Sequence, residues 1–294
     1  MQSECQEART LLDGGDDTRK KDAEPRIAPA KEQLIIAFPQ FADLIEQTPV
    51  HLISKRNLTE RRNKIADELE ADEKTKVADT TAEAIVGERG YAVLLYYEHI
   101  RDDELEHTIY HEFGHILSIH ANPELHEEVR LDISMDYDTV LRSGSSVWSE
   151  FIAESIAYIV EDGEPNGDIF AINWRLEHLM DEAVNSGYLE PYPLAIYLAT
   201  MFENPTVDLY LQSHPGAGLG LNNCEDEVVP LLENILMVLS GQMKKDDYYR
   251  IERETLEQLG RAVDELWGYC VDRHNYRMLR SVFERVANSG MPSE

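Results

Sequence analysis

Apolar and polar positions alternate differently in three successive stretches of the chain. In residues 1–30, Gly14-Gly15-Asp16-Asp17, Arg19-Lys20-Lys21-Asp22, Pro25 and Pro29 leave little apolar content before Leu34-Ile35-Ile36. Such a segment cannot offset its ordering entropy by burial, so a flexible N-terminal tail is expected, with Leu11-Leu12 able to anchor a short helix. From Lys31 to Ala71 the pattern is mixed: it predicts a helix at 42–47 and a short strand at 50–54, with Arg61-Arg62 on a solvated helix face. Gly90 to Tyr97 is apolar on both alternating faces and rich in β-branched and aromatic residues, which predicts a covered strand. Asp102 and Asp103 offer an N-cap for a helix that runs to Asn122-Pro123. A second helix, capped by Ser145 or Ser146, continues through Trp148, Phe151, Ile152, Ile156 and Ile159 to the breaker Gly163-Glu164-Pro165. Further amphipathic stretches at about 168–186, 193–203, 226–240, 246–272 and 275–288 predict a helical C-terminal region. The expected organisation is a tail (1–30), a mixed core carrying two chemistry-bearing helices (31–162) and a helical subdomain (163–294).

Composition narrows the partners. The 27 Lys and Arg against 57 Asp and Glu give a net charge of −30, a field that repels nucleic acid and anionic lipid. Cys5, Cys224 and Cys270 are too few and too widely spaced for a disulfide framework or a CxxC site. The start of the chain lacks the basic and apolar regions of a secretory signal, and no run approaches the roughly 18 apolar residues of a spanning helix. A cytoplasmic protein without membrane contact is expected, the alternative being an effector exported without a cleaved signal. Gly216 to Leu221 misses the GxGxxG pattern and reads as a loop.

The chemistry lies in His111-Glu112-Phe113-Gly114-His115, an HExxH motif on the first of the two long helices. Residues i and i+4 share a helical face, so both imidazoles can reach one metal ion while Glu112 flanks its open side. That arrangement suits a water held by the metal, with a carboxylate base beside it. A catalytic zinc site also needs a third protein ligand and one open position. His107 shares the face of His111, yet three ligands in a row along one helix span too great a length for a tetrahedral shell. HExxHxxGxxH is excluded, because Ser118 and Ala121 stand where Gly and His are required. The second helix offers Glu150 and Glu154 at i and i+4, and the connection before it offers Asp136 and Asp138. Stripped of chemistry, the same residues are two ordinary helical histidines and a solvated pair of carboxylates.

HExxH followed by a helical ExxxE resembles the gluzincin metallopeptidases, and HEFGH with Glu150-Phe151-Ile152-Ala153-Glu154 is similar to the catalytic domain of the anthrax lethal factor group. The resemblance covers His111 to Ala157 and the strand before it. It implies Zn2+ as cofactor, His111, His115 and Glu150 as ligands, Glu112 as general base, and Glu154 as the acceptor that orients one ligating imidazole. Asp136 or Asp138 could stand in for Glu150. In that group a tyrosine shortly precedes the ligating Glu; the corresponding position here is Ser143, and Tyr137, in the same connection, is the candidate for bracing the oxyanion. The strand at 92–97 is expected at a sheet edge, where an extended substrate adds as a further strand. These expectations amount to an α+β, zincin-like fold with a small N-terminal sheet, an active-site helix and a mainly helical C-terminal region. The expected activity is zinc-dependent hydrolysis of a peptide or protein substrate. Two rivals are a zincin-like metal-binding module that does not cleave, and a metal-free helical interaction protein.

Overall fold

The segment read as a tail carries a long helix. A computed structural model describes residues 2–71, 81–135, 139–161, 228–269 and 272, and in it α1 runs from Gln2 to Ala37. Pro25 and Pro29 lie inside α1 and each removes a backbone donor, so local propensity does not account for the helix. Its support is tertiary. Ala23, Ala30 and Leu34 recur on one face and are buried. Arg26 pairs with Glu106, and Arg19 donates to the Glu98 carbonyl at 3.1 Å. Lys31 Nζ donates to the carbonyls of Glu46 and Thr48, each at 2.9 Å, tying α1 to the end of α2 (Ala42–Gln47).

Three strands follow: β1 (Val50–Leu52), β2 (Ala82–Gly87) and β3 (Gly90–Leu95), in the order β1-β3-β2. β1 is parallel to β3, with Val50 opposite Val93. β2 is antiparallel to β3, with Ala82 opposite Leu95, and a two-residue turn at Glu88-Arg89 joins them. Gly90 closes that turn at φ 134°, a conformation side chains resist. The edge position expected for 92–97 is therefore corrected: β3 is the central strand, flanked on both sides. Its apolar residues on both faces are those of a strand covered above and below. β2 escaped prediction because Ala82, Glu83 and Ala84 are residue types depleted in strands.

Helix α3 (Leu58–Leu69) covers one face of the sheet, where Ile65 and Ala66 join Ile53, Ile85, Ala92, Leu94 and Tyr96 in one buried cluster. Arg62 is also buried there, against the expectation of a solvated face, because Glu83 supplies its counter-charge. Arg62 Nε donates to Glu83 Oε2 at 2.8 Å and the Tyr96 hydroxyl donates to the same oxygen at 3.0 Å. Burial together with the Glu83 carboxylate pushes the Tyr96 hydroxyl well above its usual range. Val93 and Leu95 alternate to the opposite face and are fully buried as well. Helix α4 (Leu105–Ala121) packs against β2, β3 and α1.

Pro123 ends α4 and opens α5 (Pro123–Met135), occupying a first-turn position that needs no donor. Helix α6 runs from Thr139 to Glu161, starting before the expected Ser145 or Ser146 cap. Helix α7 spans Val228–Met243, and α8 spans residues 253–269.

Contacts sort the chain into one unit of Met1–Ala121 with Ile152–Gly163 and another of Asn122–Phe151 with Glu164–Glu294, the division falling inside the continuous helix α6. In the second unit Gly144 and Gly260 allow close approach, since a Cβ on Gly260 would meet the Val140 carbonyl at 1.8 Å. Ser143 donates to Asp264 at 2.7 Å, and Asn122 donates to the Tyr249 carbonyl while accepting from Ile251 N–H. The described residues are mostly helical with one small sheet, a broad α+β arrangement. Among them no helix is long and apolar enough to cross a membrane. The expected stretches at 168–186, 193–203 and 275–288 lie outside the described residues.

Candidate metal centre

Helix α4 is anchored by Ile109, Phe113, Ile116 and Leu117, all fully buried, so the face carrying His111 and His115 is fixed relative to the sheet. Gly114 sets its distance from α6. A Cβ there would lie 2.5 Å from Ala153 Cα and 2.9 Å from the Ala153 carbonyl oxygen, so only glycine lets the two helices meet this closely. Ala153 directly precedes Glu154, and the contact therefore brings that carboxylate to α4.

His111 and His115 turn their Nε2 atoms toward each other at 3.1 Å, with ring planes at 84°. Glu150 lies one turn before Glu154 on α6, and one ligand atom from each of His111, His115 and Glu150 falls within 4.8 Å of the others. His111, Glu112 and Glu154 are buried, whereas His115 and Glu150 are half-buried. The three residues that the resemblance implies are brought together, and their donors are two nitrogens and one oxygen.

Glu154, at 2% exposure, is the buried acceptor behind this group. His111 Nδ1 donates to its Oε2 at 2.9 Å, which leaves His111 Nε2 as the nitrogen facing His115. His107, one turn earlier on α4, places Nε2 at 3.2 Å from Glu154 Oε1 and Nδ1 at 3.1 Å from Glu161 Oε2. Its ring stands edge-on to Tyr158, with centroids 5.6 Å apart. Burial pulls the His107 pKa down, but the hydrogen bonds to Glu154 and Glu161 outweigh it and raise it to about 9. Burial likewise pushes Glu154 up, and its bonds to His107 and His111 prevail, holding it at about 2.

Sequence reasoning dismissed His107 as a ligand and assigned it nothing else. The signal that could have found it is its shared face with His111, opposite a helix carrying two acidic residues two turns apart. Tyr137, Asp136 and Asp138 lie outside the described residues. No family model, curated protein or solved structure matches this chain.

Proposed function

We propose that the protein is a zinc-dependent metallopeptidase of zincin-like fold, held by His111, His115 and Glu150 at the metal, with a peptide or protein as substrate. The observation that carries this reading is the convergence of the two Nε2 atoms, 3.1 Å apart, with a Glu150 oxygen. Tetrahedral zinc with bonds of about 2.0–2.1 Å places its ligand atoms roughly 3.3 Å from one another, which the histidine pair matches at 3.1 Å, with a Glu150 oxygen within 4.8 Å. A buried carboxylate on the far nitrogen of one ligand is a further mark of metal-ligating histidines.

When bound, zinc supplies a Lewis acid and lowers the pKa of water in its open position. The remaining work falls to side chains. Glu112, buried between the two histidines in sequence, takes the proton of the attacking water and passes it to the leaving amine. Glu154 keeps His111 in the tautomer whose Nε2 is bare. Tyr137 is the proposed brace for the oxyanion. An extended substrate would add along the outer side of β2, an edge strand packed on α4, rather than along the central β3.

Zinc content tests the reading. Purified protein, stripped and reloaded, should hold about one zinc per chain; His115→Ala should lose it, and Glu154→Gln should weaken it roughly 10- to 100-fold. Wild type that takes up no zinc would refute the proposal. Wild type that binds zinc but cleaves nothing in a broad peptide library would favour the non-hydrolytic binding module.

A further inference from the structure

Glu154 has two oxygens, and only one is used by His111. His111 Nδ1 lies 2.9 Å from Oε2, while Oε1 faces His107 Nε2 at 3.2 Å. The far nitrogen of His107 is itself held by Glu161 Oε2 at 3.1 Å. Two histidines one turn apart on α4 thus alternate with two carboxylates two turns apart on α6, giving the chain Glu161, His107, Glu154, His111. We propose that His107 is a positioning residue for the metal centre, gripping the second oxygen of Glu154 so that the carboxylate plane, and through it the His111 ring, is fixed. The inference rests on His111 being a metal ligand.

A carboxylate bonded through one oxygen can swing about its last torsion, whereas one held through both cannot without losing a bond. His107 meets the requirements of such a grip. Both of its nitrogens face carboxylates, which only accept, so the ring donates from both sides and carries a positive charge. That charge also answers a cost. Glu154 is at 2% exposure, and an ionised carboxylate so deep in the protein needs a compensating partner before any metal arrives. The raised pKa of His107, about 9, agrees with a doubly protonated ring at neutral pH. Tyr158, edge-on at 5.6 Å, leaves the ring little freedom to turn away.

The test is the zinc dissociation constant, by chelator competition, of wild type and of His107→Gln, His107→Asn and His107→Leu, each checked by its thermal unfolding midpoint. The amide of Gln reaches the place of Nε2 and can still donate to Glu154; that of Asn reaches only the place of Nδ1 and can serve Glu161 alone. Leu and Asn should weaken zinc binding roughly tenfold, while Gln should remain close to wild type. The Gln and Asn pair decides the matter if Leu does not fold. Equal affinity in all variants, or an equal loss in Gln and Asn, would overturn the proposal while leaving the metallopeptidase reading in place. Wild type that binds no zinc would overturn both.

Discussion

The His107–Glu154 hydrogen bond contributes to two opposed shifts: with Glu161 it raises His107 to about 9, and with His111 it lowers Glu154 to about 2, each against the pull of burial. For His107, whose folded pKa exceeds its ordinary 6.5, the stabilisation is complete below about pH 6.5 and is lost as pH rises through about 9. For Glu154, depressed from 4.5, it is present above about pH 4.5 and is lost as pH falls toward 2. Metal-free protein should therefore be most stabilised by this pair between about pH 4.5 and 6.5 and should lose unfolding temperature from there to pH 9.5. His107→Leu should show a flatter profile over the alkaline range. Parallel curves for the two proteins would mean that the ring titrates alike in the folded and unfolded chains. At this scale spacing alone disclosed the pairing of His111 with His115, because i and i+4 on one helix need no tertiary information, whereas Glu150, on a different helix, was reached only through the family resemblance. His107 was not legible, because its partners are 47 and 54 residues away and only the fold shows which carboxylate it meets.

The crossing of α4 and α6 is where sequence pattern becomes a site. Gly114 has a backbone neighbour rather than a flexible side chain at 2.5 Å, so Gly114→Ala must push the helices apart. A loss of about 1–3 kcal/mol in stability is expected, with weaker zinc binding as Glu154 withdraws from His111. Gly241→Ala, in α7 with nothing within 4 Å of the added Cβ, should instead be neutral or slightly stabilising. Comparable denaturant midpoints for the two variants would contradict the close approach. Elements with a strong local signature were readable: α2 lies at Ala42–Gln47, the strand starting at Gly90 and the helix ending before Pro123 stand where pattern puts them. Those stabilised from outside were not. α1 contains two prolines and depends on Arg26, Lys31 and the buried stripe of Ala23, Ala30 and Leu34, and Arg62 turned inward because Glu83, on a strand of weak local signature, awaits it.

For the molecule as a whole, the charge of −30 makes a prediction about association rather than chemistry. Peptides with Lys or Arg near the scissile bond should be captured faster than matched acidic peptides, and salt should erode the difference as the screening length falls from about 10 Å at 0.1 M to about 3 Å at 1 M. Equal kcat/KM for both at low salt would count against it. The central claim is hydrolysis in which Glu112 moves the proton without holding the metal, and one comparison addresses it: cleavage of a peptide library by wild type and by Glu112→Gln, with zinc counted in both. The account predicts equal zinc, about one per chain, with cleavage by wild type and a loss of roughly 100- to 10,000-fold in the variant. Undiminished cleavage by Glu112→Gln would contradict it.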